Sequence, residues 1–140
     1  MGTSGDQIKE AQQRLKTAKE QWNQAGVHSW EPAEPAECIT KCFYAFENAL
    51  TAAALACGEK ITTKHYEKAN LASKLVKLKV LKTDISDRLV ELNDLRKDVQ
   101  YGEPGHALAN ADLDEIMGEL EEFLEDVEQV VQNAGKKGKK

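Results

Sequence analysis

Arg96 is the residue whose type and position most need an explanation. On a helical wheel of about 100° per residue, Ile85, Leu89, Leu92, Leu95 and Val99 gather on one side. Arg96 falls near the middle of that side, and Asp98 points away from it. A guanidinium turned toward an apolar face is expensive unless it is paired or meets a wet cleft. Arginine is also scarce, three residues against sixteen lysines, so generic surface charge does not account for this one. Two chemistries are open. The side chain either snorkels at the helix end or pairs with a core carboxylate, or its planar fork lies in a cleft or a dimer seam and grips phosphate bidentately.

The other chemistry-bearing residues read as structural. Cys38 and Cys42 are one helical turn apart, a spacing at which two thiols can face one metal. A structural zinc site needs four ligands, and no histidine or second cysteine pair lies nearby in sequence, so the pair reads as small buried hydrophobes. His28, His65 and His106 lie in or near loop sequence, and no Ser or Cys stands in an activating motif. The glycines are scattered helix terminators and do not form a phosphate-cradling loop. Glu119, Glu121, Glu122, Glu125, Asp126 and Glu128 form a solvated face without the Glu-x-x-His of a di-iron bundle. Neither a metal nor a cofactor is expected.

The elements that must position Arg96 are all helical in pattern. Residues 6–25 place Ile8, Ala11, Leu15, Ala18, Trp22 and Ala25 three and four apart, one stripe that Gly26 should end. Pro32 and Pro35 then forbid helix and extend the chain. A second helix should start just after Pro35 and run to about Cys57, stopped by Gly58. Its alanine-rich TAAALAC half predicts close approach of another helix, and it should be the most buried element. A third segment runs from near Thr63 to Leu78. A fourth is announced by Thr83 and Asp84 as caps. Gly102, Pro104 and Gly105 interrupt the chain after it. Asp112 with Glu115 resembles a capping box, and Leu113, Ile116, Met117, Leu120, Phe123, Leu124, Val127, Val130 and Val131 then form the clearest stripe, which Gly135 should close. The expected fold is all-α, an antiparallel up-and-down bundle of about five helices. It would be a single domain over 1–135 followed by a disordered basic tail, 136–140.

Composition agrees. The chain has 140 residues, one domain's worth. At 41% hydrophobic but only 6% aromatic, its core must be mainly aliphatic and alanine. The net charge is −5, and four lysines lie in the last five residues, so positions 1–135 carry −9. A body that acidic does not attract a nucleic-acid backbone without local help. The lysine tail reads first as a solubilising end and second as an aid to RNA binding. No apolar run reaches the ~20 residues that cross a bilayer, and Met1–Asp6 does not read as a secretory signal. An odd cysteine count of three points to reduced thiols and a cytoplasmic location.

The order FYAFENALTAAALACGEKITTKH, then two helices leading into LNDLRKDVQYGEP, then a long amphipathic helix, resembles the HEPN domain, a small helical-bundle family named for nucleotide binding. The resemblance covers roughly residues 36–131, with 6–25 as a leading helix, and Leu92–Gly102 is its most specific part. It implies a homodimer in which the arginine helix of each subunit faces a shared cleft. Active members are metal-independent endoribonucleases of toxin–antitoxin and antiviral-defence systems, with a motif of Arg, a polar residue, three to five further residues and His. Arg96 matches the arginine, but Tyr101 stands where the shortest motif has its histidine, and His106 lies beyond Pro104. RNA cleavage needs a base for the 2′-hydroxyl and an acid for the leaving oxygen, and a phenol with a reference pKa of about 10 is a poor base at neutral pH.

The resemblance therefore implies a non-catalytic, dimeric module that binds a nucleotide, RNA or a cognate protein partner such as a nucleotidyltransferase. Arg96 would anchor phosphate or an interfacial carboxylate. Tyr101 would supply a hydroxyl or ring at the cleft rim, and Asp98 would pair with a basic group or cap the loop. The alternative is a ribonuclease toxin with an altered centre, using Arg96 with Tyr101 or a mobile His106. A third reading is a helical scaffold in which Arg96 makes a structural ion pair. No membrane partner is expected.

Overall fold

The computed structural model describes residues 5–29, 35–61, 64–100 and 112–138, and for 26–29, 35–37, 65–66, 98–100 and 136–138 the backbone alone. Five helices follow one another: α1 (Gly5–Ser29), α2 (Pro35–Cys57), α3 (His65–Lys77), α4 (Ser86–Gln100) and α5 (Leu113–Gly138). There is no strand among the described residues, and the protein is an all-α bundle. No helix of the described residues is long and apolar enough to cross a membrane.

Helix α2 lies at the centre, in contact with all four others. From Cys38 to Ala56 its side chains are buried except on a narrow strip through Thr40, Lys41, Tyr44, Asn48 and Thr51. The expected alanine packing is present. Ala11, Ala18 and Ala25 of α1 and Ala45, Ala49, Ala52 and Ala53 of α2 are completely buried, and α1 with α2 is the most extensive helix pair. Small side chains let two helix axes approach and keep more backbone surface in contact. Larger groups fill the space between α2 and α5: the Phe46 and Phe123 rings are both fully buried with centroids 5.8 Å apart. Polar contacts pin the outer helices to this core. Lys19 reaches Glu128 at 2.9 Å, Trp22 Nε1 donates to the Met117 carbonyl at 3.3 Å, and Asn48 joins Gln21 and Arg14 across α1 and α2.

Four boundaries differ from those read in the sequence. Helix α1 passes through Gly26 to Ser29, carrying Val27 and His28 in helix where an extended stretch is expected. Helix α5 likewise passes through Gly135 to Gly138, so residues 136–138 of the basic tail continue the helical backbone. A helical glycine costs only about 1 kcal/mol, too little by itself to end a helix. Pro35 is itself the first residue of α2, since the missing N–H has no helical partner in a first turn. Helix α3 starts at His65, two residues later than Thr63. Gly58 does end α2, with φ 78°, and Lys79 takes the same left-handed conformation, φ 62°, in the turn that stops α3.

Both expected caps form. Asp112 Oδ1 accepts the Glu115 N–H at 3.1 Å, while the Glu115 carboxylate turns away to Arg88, so only half of a capping box is made. Asp84 Oδ1 accepts the Ser86 N–H at 2.9 Å at the head of α4, and Ser73 donates to Oδ2 at 3.4 Å. Thr83 does not share this role; its N–H donates to Asp126 of α5. The hydrogen bond from the Ser86 backbone, followed by the Ser86 side chain, holds the Asp84 carboxyl below its ordinary pKa. A carboxyl depressed on folding contributes stability that is present above its unfolded pKa of about 3.9 and is lost as pH falls through the folded value. Asp84→Ala should therefore cost about 0.5–1 kcal/mol at pH 7. Urea melts of the two proteins should converge as the pH drops below about 4.

Candidate functional site

The seam between α2 and α4 holds Arg96. Its guanidinium carbon lies 5.1 Å from the centroid of the Phe43 ring and 5.9 Å from that of Tyr44. The two rings are 5.6 Å apart and tilted by 57°, so they form two walls against one cation. Nη2 donates to Asn93 Oδ1 one turn earlier on α4, at 2.9 Å. Phe43 is buried, Tyr44 is 36% exposed, and Arg96 is intermediate. The wheel reading of the sequence thus describes the direction of the side chain: it lies on the apolar side of α4, against the rings of α2. An arginine fixed by rings and an amide keeps its fork oriented, which lowers the ordering cost of engaging an anion.

The remaining residues read with Arg96 lie outside what the structure describes. Asp98 lies in the last turn of α4, and its side chain is outside the described residues. Tyr101 and His106 both fall within 101–111, outside the described residues.

Two charged clusters escape the sequence reading. The first is Arg88, whose side chain is only 14% exposed: its guanidinium reaches Glu91 at 2.7 Å, Glu115 at 2.8 Å and Glu119 at 3.0 Å, tying α4 to α5. Burial opposes its charge, but the hydrogen bonds to Glu119, Glu115 and Glu91 prevail and raise its pKa. The second is Glu47, 5% exposed, paired with Lys68 of α3 at 3.4 Å. Both were open to the argument applied to Arg96. Arg88 falls within the arc of Ile85, Leu92 and Leu95, and Glu47 stands directly beside that of Phe43, Leu50 and Ala54. Any charge inside an apolar arc needs a partner.

The thiols are packed. Cys38 and Cys42 are completely buried and Cys57 is half-buried. A hydrogen bond to Cys38, then burial, pushes the Cys42 thiol far above its ordinary pKa. Burial does the same for Cys57, against hydrogen bonding at Glu59. Protonated thiols are poor nucleophiles. Among the described residues no group of three or more His, Cys, Asp or Glu is placed to hold a metal ion. A cleft of about 430 Å³ between α5 and the Lys82–Thr83 turn is lined by Glu122, Glu125, Asp126 and Glu128. There Asp126 Oδ2 accepts the Lys82 and Thr83 N–H groups at 2.8 and 3.3 Å, a structural tie.

Comparison with family models, curated proteins and solved structures gives no match for this chain. Function therefore has to be argued from the site itself and from the residue pattern around it.

Proposed function

We propose that the protein is a HEPN-like module that binds a phosphate-bearing ligand, a nucleotide or RNA, as a homodimer and without cleaving it. The observation that carries this reading is the placement of Arg96, a half-buried guanidinium oriented by Phe43, the partly exposed Tyr44 and Asn93 in the α2–α4 seam. A planar fork held in this way suits a phosphate better than a flexible ammonium would. The surrounding pattern, Arg96 through Asp98 to Tyr101 and Gly102, is the segment that resembles the family most specifically. The same pattern lacks the histidine that a metal-independent ribonuclease uses as its acid or base.

Binding and cleavage are separated by incubating the purified protein with end-labelled single-stranded RNA at pH 7. The expected result is intact RNA, together with a rise in melting temperature when a nucleotide or short RNA is added, since a ligand that prefers the folded state stabilises it. Cleavage that disappears in Arg96→Ala would make the protein a ribonuclease with an altered centre and overturn the reading. Sedimentation equilibrium tests the dimer, with a mass of twice the 15.5 kDa chain expected.

A further inference from the structure

Helix α2 is buried on most of its circumference, and what it leaves open is the strip through Thr40, Lys41, Tyr44, Asn48 and Thr51. These residues recur three and four apart, so they lie one above another on a single face. Arginines reach the strip from both sides. Arg96 of α4 lies against the Tyr44 ring at 5.9 Å, and Arg14 of α1 donates to Asn48 Oδ1 at 3.3 Å. Asn48 donates in turn to Gln21 of α1 at 2.9 Å.

The charge of this strip is opposite to that of the chain. The protein carries a net charge of −5, yet the one carboxylate of α2 between Cys38 and Cys57 is Glu47, which is buried and paired with Lys68. On the α1 side Glu10 comes within 3.8 Å of Arg14, an exposed pair of the kind that contributes little. Lys41, Arg14 and Arg96 thus give an acidic protein a locally cationic face, which attracts phosphate.

Tyr44 gives this face a second chemistry. Among the described side chains it is the one exposed aromatic: Phe43, Phe46 and Phe123 are buried and Trp22 is intermediate. A lone exposed ring needs no explanation, but this one is held in place. The Phe43 ring stands 5.6 Å away, tilted by 57°, and the Arg96 guanidinium lies against it. A ring held by two neighbours and still 36% exposed is a stacking surface ordered before any ligand arrives.

Resting on the reading of Arg96 as a phosphate grip, we infer that Tyr44 is the base-stacking residue of the same site, so that the ligand is recognised by a nucleobase as well as by its phosphate. Stacking on an aromatic side chain strengthens binding by about 5–150-fold per base and tolerates any base, because each has a π-face. Arg96 lies against the ring that takes the base, so the grip on the phosphate and the platform for the base form one unit.

The test is fluorescence anisotropy with two labelled strands of equal length, a short oligoadenylate and its abasic counterpart, which has the same phosphates and no bases. The parent should bind the oligoadenylate about 10-fold or more tightly than the abasic strand. Tyr44→Leu should lose this preference while its affinity for the abasic strand stays unchanged. Tyr44→Phe keeps the ring and should keep the preference. Arg96→Ala should weaken binding of both strands. Equal binding of the two strands by the parent, or a Tyr44→Leu protein that retains the preference, overturns the role of Tyr44 and leaves the phosphate grip standing. A Tyr44→Leu protein that loses both strands equally also overturns it, since the ring then acts only by positioning Arg96. No binding of either strand by the parent removes the phosphate grip and the stacking role together.

Discussion

Phe46→Ala is expected to lower the unfolding free energy by about 3–5 kcal/mol, a large share of the roughly 5–15 kcal/mol that holds a domain of this size. The ring is completely buried and packs on Phe123 at 5.8 Å, where α2 meets α5. These are two of only three phenylalanines in a core otherwise made of aliphatic side chains, alanine and two cysteines. Alanines cannot swing into the void, so the cavity stays open and its cost is added to the lost transfer free energy. Urea denaturation should show a lower midpoint with an unchanged slope. A loss below about 1 kcal/mol would mean that the neighbouring helices collapse into the space and that the packing is loose.

The second large effect concerns the buried ion pair. Lys68→Met removes the ammonium and leaves the Glu47 carboxylate 6% exposed. Taking a cationic partner from a buried carboxylate is costly even when its other interactions remain, so a loss of about 2–3 kcal/mol is expected at pH 7. The pair itself is worth much less than this, because both ions had to leave water to form it. The double variant Glu47→Met, Lys68→Met should accordingly be more stable than Lys68→Met alone. A double-mutant cycle in chemical denaturation measures this. Losses that simply add would show that Glu47 and Lys68 do not depend on each other.

Much of the bundle is legible in the sequence because apolar residues spaced three and four apart define each helix, and α2 is identifiable as the central one from its lack of a polar face. The misread ends share one cause. A glycine costs a helix only about 1 kcal/mol, so Gly26 and Gly135 do not stop α1 and α5, which carry on past each. Arg96 is legible in direction but not in company: a wheel shows that it faces the apolar side, while Phe43 and Tyr44 come from a helix much earlier in the chain. Arg88 and Glu47 satisfy the same criterion and were open to the same reasoning. Scarcity drew attention to one arginine, yet it applied equally to the other.

Arg88 and Arg96 also separate structure from function. Arg88 joins α4 to α5 through three carboxylates, a contact that closes within the bundle. Arg96 is set by rings and an amide in the α2–α4 seam. Of the two, Arg96 is the one whose replacement should change binding more than folding.

Fluorescence anisotropy of a labelled short single-stranded RNA, with unlabelled nucleotides as competitors, tests that claim on the parent protein, Arg96→Ala and Arg96→Lys. A charged hydrogen bond contributes about 1.5–3 kcal/mol, so the alanine variant should bind about 10–100-fold more weakly. The lysine variant should lose most of that affinity too, because an ammonium cannot reproduce the fork. Both should keep the helical content of the parent. Equal affinity in all three folded proteins, or no binding of any phosphate-bearing probe by the parent, would contradict the account.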